Sequence, residues 1–181
     1  MLGRIVLGLT VCAGLAPAQD VVAKNLTALF AGYRVNIMEA LGKVKPEDYG
    51  FKPSPDVRTM REQFAHIADA NYSICSGLKG EANPNTSPLE QKDLGKPELT
   101  KAVADSFDYC MAAMEGWSDA KFSEMVKRGT TERPKAYHAL HLLEHTGLHY
   151  GNLVTYMRMK GMVPPETERR QQQARPAAAK Q

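Results

Sequence analysis

Four stretches of this chain carry apolar residues every three or four positions, and proline or glycine interrupts the pattern between them. That period places the apolar side chains of each stretch on one helical face. The first stretch runs from just after Asp20, an expected N-cap, through Val22, Leu26, Leu29, Tyr33, Ile37 and Leu41 to Val44. Pro46, Pro53 and Pro55 mark a connector. Thr59-Met60-Arg61-Glu62 then has the capping-box form, and a second helix is predicted to about Leu78 with Met60, Phe64, Ile67, Ile74 and Leu78 inward. A polar stretch from Lys79 to Lys96 reads as a long loop. The third helix starts near Pro97 and carries Leu99, Val103, Phe107, Cys110, Met114 and Trp117. A short helical piece is expected around Phe122 to Val126, and no strand-like alternation is long enough to compete. The fourth helix runs from near Pro134 to about Lys160, where Gly161 and Pro164-Pro165 end it. Helices that each bury one stripe are expected to share a core, so the fold class is all-α, a four-helix bundle.

Both ends of the chain lie outside that bundle. Arg4, the apolar run Ile5 to Ala16 and the small-x-small site Ala16-Pro17-Ala18 have the form of a signal peptide over residues 1–18. The expected location is therefore exported, periplasmic or extracellular. The apolar run falls short of the ~20 residues of a membrane span, so no stable membrane insertion of the mature chain is expected. Val11 before Cys12 argues against lipidation, which wants a small residue there. The bundle occupies residues 19–165, and the tail 166–181, with three glutamines and mixed charge, has no apolar period and is expected to be disordered. A net charge of +3, or +2 without Arg4, gives no basic footprint for nucleic acid. In an oxidising compartment Cys75 and Cys110 either pair or act as two small buried hydrophobes, and spacing does not decide between these. A homodimer through exposed helix faces is compatible with the composition.

Chemistry concentrates in the fourth helix. Of the five histidines, His138, His141, His145 and His149 fall within one short stretch and His66 lies on the second helix. At 100° per residue the four span roughly 80° of the helix, alongside Leu142, Leu148 and Tyr156. An imidazole facing a bundle interior needs a hydrogen bond or a metal. His145 and His149, one turn apart, can converge on one ion. His141 is a candidate for a supporting or pocket role one turn earlier, while His138 is expected nearer the surface. Glu144 is a weak catalytic candidate, about 100° off the stripe and expected to be solvated at the rim. Asp69, one turn from His66, can orient that ring or form an ordinary solvent-facing salt bridge. Met60, Met111, Met114 and Met157 are expected to fill the core.

His145-Thr-Gly-Leu-His149-Tyr-Gly151-Asn152, then Tyr156-Met-Arg158-Met-Lys-Gly161 and the proline pair, resembles the last helix of the DinB/YfiT-like family. Lys52-Pro53-Ser54-Pro55 followed by Met60-Arg-Glu-Gln-Phe64-Ala-His66 is similar to that family's connector and second helix. The resemblance covers about Leu26 to Pro165. It implies an up-down-down-up bundle with a divalent metal, zinc or nickel, on His66, His145 and His149. Three nitrogen ligands would leave a position for a metal-bound water or thiolate, in transferase or hydrolase chemistry on a small-molecule substrate, and the resemblance implies kinship with thiol-dependent transferases and isomerases. Asn152 stands where the family usually has Gln, in a supporting or packing position, and an export signal is unusual for the family.

Two other functions compete. His141-Leu-Leu-Glu144-His145 matches the inverted zinc-peptidase motif, in which Glu144 is the base and both histidines bind zinc, although only 36 residues follow His145 to supply a further ligand. A non-enzymatic bundle that binds a metal or small molecule is the other.

Overall fold

A computed structural model describes residues 20–174. The expected leader 1–18, with Cys12, and residues 175–181 lie outside it. The elements are α1 (Val21–Lys43), α2 (Met60–Lys79), α3 (Lys96–Ala113), a short α4 (Asp119–Phe122), strands β1 (Met125–Arg128) and β2 (Thr131–Pro134), α5 (Lys135–Met159) and α6 (Pro165–Ala174). The protein is mainly helical, as the apolar periods require. Around the core, α2 packs on α3 and α5, and α1 closes the ring against the same two helices. Phe30, Ile37, Phe64, Ile67, Leu99, Phe107, Leu142 and Leu153 meet there fully buried. Val22 and Leu29, expected on the inward stripe of α1, are exposed, and Phe30 takes the inward place against Phe107, with ring centroids 5.1 Å apart.

The caps explain where the helices begin. Thr59 accepts from the Glu62 amide while Glu62 accepts from the Thr59 amide, which completes the expected capping box of α2. Gly80 ends that helix at φ 73°, a left-handed conformation that a β-carbon would strain. Asp20 does not cap its own helix. Its Oδ1 accepts from the Asp119 amide at 3.0 Å, and Asp119 accepts from the amides of Val22 and Ala23, so each aspartate serves the other's helix.

Three further expectations are corrected. The helical piece foreseen at Phe122–Val126 stops at Phe122, and an antiparallel hairpin follows in register Met125↔Pro134 to Arg128↔Thr131. Only Val126 of β1 points inward, so the strands leave no alternation to read in the sequence. Arg128 of the hairpin lies across α2, donating to Ser73 Oγ at 3.1 Å. The missing side chain of Gly77 admits it, since a β-carbon there would come within 3.1 Å of the guanidinium. The tail, expected to be structureless from Glu166, is helical to Ala174. Its helix lacks an apolar face and is held by charge: Lys43 donates to Glu168 at 2.6 Å, and Arg169 bonds Glu39 and Asn36 of α1. His138, expected near the surface, is only 6% exposed, because β2 packs against the start of α5.

Cys75 and Cys110 are joined in a disulfide, Cα atoms 5.4 Å apart, that ties α2 to α3. It lies beside buried Asn71, which donates to Ser106 Oγ. A bridge across 35 residues restricts the unfolded chain by about 3–4 kcal/mol in a loop-entropy account. The Cys75→Ala/Cys110→Ala double variant is therefore expected to unfold at clearly lower urea concentration, and an unchanged midpoint would remove the bridge from the stability of the fold.

Candidate metal centre

The histidines of α5 meet α2 at one seam. His66 is half-buried on α2, His145 half-buried on α5, and His149 buried one turn further on. Ring centroids lie 4.5 Å apart for His66–His149, 4.4 Å for His145–His149 and 5.2 Å for His66–His145. One ring nitrogen from each falls within 4.8 Å of the others. Two helices are needed, because α5 alone presents only the one-turn pair and α2 contributes the third nitrogen.

Hydrogen bonds fix which nitrogen two of the rings offer. His66 Nδ1 donates to Glu90 Oε2 at 2.9 Å, and His149 Nδ1 donates to Gln63 Oε1 at 2.9 Å. Both leave Nε2 available, the tautomer control that a metal-binding histidine needs. Gln63 is itself buried and reaches the Tyr156 hydroxyl at 3.5 Å, while Tyr156 donates to the Arg58 carbonyl at 3.0 Å. Glu90 comes from the long loop between α2 and α3. Asp69 holds it there: Oδ1 accepts from the Leu89 amide and the Asn85 side chain, and Oδ2 from the Glu90 amide. Arg58 Nε donates to Glu90 Oε1 at 2.7 Å, so one carboxylate joins His66 to Arg58.

Burial sets the charge of His145 and His149. Desolvation, followed by the neighbouring imidazoles His66 and His141, pushes His145 down to about 4. Desolvation and then His145 and His66 push His149 down to about 4. Both rings are neutral near pH 7, the form in which imidazole ligates. Burial also lowers His138, whose Nε2 has no partner among the described residues.

The sequence candidates separate into those the fold gathers and those it does not. His66, His145 and His149 come together. His141 stands at the rim with its ring 5.9 Å from that of His145, its Nδ1 3.1 Å from Glu144. Glu144 is exposed and bonds His141, as expected of a solvated rim residue. Neither member of the inverted peptidase motif other than His145 belongs to the gathered group. Asp69 acts on the loop, and the orientation of His66, one of the two roles open to it in the sequence, falls to Glu90. Asn152 is half-buried and bonds none of the three rings among the described residues. The amide beside His149 is Gln63, whose signal in the sequence was a polar residue inside the apolar stripe of α2 one turn before His66. Leu148, expected beside the stripe, is exposed. An open apolar hollow of about 810 Å³ lies elsewhere, between α1 and the end of α3, with Ala28, Met111 and Trp117 among its walls and no residue of α2 or α5.

Three imidazole nitrogens, two of them on rings whose tautomer a hydrogen bond fixes, fit a divalent ion that prefers nitrogen donors, and fewer than four protein ligands leave a coordination position to solvent or substrate. A family model described as the DinB superfamily matches residues 30–153. No curated protein matches the chain. Among solved structures, a DinB-like protein from Bacillus subtilis superposes with a TM-score of 0.63 at 18% identity, covering 77% of this chain and 93% of its own. A DinB-like protein from Bacillus cereus gives 0.63 at 18%, covering 78% and 95%. A conserved protein from Enterococcus faecalis gives 0.60 at 14%, covering 76% and 95%. At these identities the likeness concerns the fold.

The depressed values of His145 and His149 have a consequence for metal-free protein. Above the ordinary histidine value of 6.5 both rings are neutral, folded or unfolded. As pH falls from 6.5 toward 4 the unfolded chain takes up protons that the folded chain refuses, so stability falls through that window and the loss levels off below it. NMR titration of metal-free protein is expected to place both midpoints near 4, and midpoints near 6.5 would mean that the rings are solvated.

Proposed function

The chain belongs to the DinB superfamily, and from that premise we propose that it is an exported protein holding one zinc or nickel ion on His66, His145 and His149. Its four long helices would run up-down-down-up, and its metal would serve transferase or hydrolase chemistry on a small molecule. The observation that carries this function is the convergence of three imidazoles, two of which, His66 and His149, have their remaining ring nitrogen engaged by Glu90 and Gln63. The side-chain pairs support the helix directions. Asn71–Ser106 and Cys75–Cys110 advance together along α2 and α3, whereas Gln63–Tyr156 and His66–His145 run oppositely along α2 and α5. Lys96, at the start of α3, donates to the Gly42 and Val44 carbonyls at the end of α1. The disulfide is the feature that favours an oxidising compartment.

A divalent ion so held supplies a Lewis acid on which a bound water or thiol loses its proton more readily. The chain's own residues do the rest. Glu90 and Gln63 hold the two rings in one tautomer and orientation. Packing of α2 on α5 keeps water from one side of the centre, and the half-buried rim of His66, Arg58 and Glu90 leaves the other side open. His141, hydrogen-bonded to Glu144, lies one turn before His145 with its ring 5.9 Å from that of His145.

Metal content of purified protein tests this function. Wild type and Glu144→Ala are expected to carry about one ion per chain, and His66→Ala and His145→Ala none, because two imidazoles alone hold the ion weakly. Metal retained in His66→Ala would favour the inverted peptidase arrangement, and no metal in the wild type after reconstitution would contradict the function. Glu90→Gln keeps all three ligands and is expected to weaken affinity by about 10- to 100-fold, measured by chelator competition.

A further inference from the structure

The residue beside the triad that no role above absorbs is Arg58. Its position is built from two directions. Its carbonyl accepts from Tyr156 of α5 at 3.0 Å, and its side-chain Nε donates to Glu90 at 2.7 Å. A guanidinium has five N–H donors in a rigid fork, and this one spends a single donor on Glu90. The Nη1 and Nη2 groups have no partner among the described residues, and 38% of the side chain is exposed. The same charge is felt by both His145 and His149, where it is one of the causes that lower their proton affinity.

We infer that Arg58 selects the substrate of this site: the molecule carries a carboxylate that pairs with the free Nη edge while its reacting group lies at the three histidines. This rests on the metal-centre function proposed above. The fork of a guanidinium matches the two oxygens of a carboxylate in parallel hydrogen bonds, which a lone ammonium cannot reproduce. Glu90 already balances one unit of charge at Arg58. That balance favours a singly charged carboxylate over a phosphate dianion, which would want a second cation. Glu90 thereby has two tasks, holding His66 by one oxygen and aiming Arg58 by the other. The loop that Asp69 anchors thus places the metal-side ring and the anion-binding group in a fixed relation.

The test uses two thiols as probes, because sulfur ligates zinc or cobalt directly and the pair differs in one group. Mercaptoacetate carries a carboxylate and mercaptoethanol a neutral hydroxyl. Their dissociation constants are read on cobalt-loaded protein from the sulfur-to-metal absorption band, with metal content measured in the same samples. In wild type, mercaptoacetate is expected to bind about 10- to 100-fold tighter than mercaptoethanol. In Arg58→Ala that preference is expected to collapse to near one, and in Arg58→Lys to recover in part, since charge returns without the fork. The comparison between variants carries the test, because thiol basicity and any general loosening of the centre divide out. A preference that survives Arg58→Ala, equal affinity of wild type for the two thiols, or no binding of either by metal-loaded protein overturns the inference. Failure to hold cobalt at all contradicts the metal centre itself, and so is told apart from these.

Discussion

Holding imidazoles against one another in a partly dry seam is unfavourable unless each has a defined partner, and much of the polar structure at this end of the bundle offsets that cost. His149 and His66 are adjacent rings from different helices, and each is fixed by one acceptor: a buried amide on α2 and a carboxylate delivered by a loop. Those acceptors are themselves held. Gln63 reaches Tyr156, Tyr156 bonds the Arg58 backbone, Arg58 bonds Glu90, and the Asp69 carboxylate secures the loop. The series runs from α5 through α2 and its entry segment to the loop and back to the histidines. Displacing one member leaves a neighbour without its partner, so the centre is expected to behave as a unit in mutational studies.

The remainder of the fold serves to keep α2 and α5 in register. Fully buried Phe64, Ile67, Leu142 and Leu153 supply the apolar contact on either side of the triad, so the distance between the helices is set by packing and not by the histidines. The disulfide fixes α2 to α3 near its far end, and the hairpin lays Arg128 across the same helix. A scaffold anchored by packing is what a centre with an open coordination position requires, since its ligands must hold their geometry when the occupant changes.

How much of this was legible in the sequence follows from the range of the forces involved. The apolar stripes, the Thr59–Glu62 capping box and the glycine and proline punctuation are local, and the four long helices could be read from them within a few residues. The three histidines were legible because the one-turn spacing of His145 and His149 is a helical property, while His66 needed the likeness to a known family. Glu90 was not legible. Its loop has no periodicity, and its place depends on hydrogen bonds to Asp69 some twenty residues earlier. The same holds for the exchange of caps between Asp20 and Asp119 and for α6, which ion pairs with α1 hold without an apolar face. The hairpin escaped because four-residue strands with one inward side chain carry too few alternations, and His138 was misplaced because that hairpin is what covers it.

In the function proposed above, three imidazoles from two helices form the protein's share of one metal centre. X-ray absorption spectroscopy of zinc-loaded protein reads this most directly. Three imidazole nitrogens at about 2.0–2.1 Å are expected, with the outer-shell scattering of the rings and one further light atom from solvent. A sulfur shell near ~2.3 Å, or a shell with fewer than three imidazoles, would contradict it.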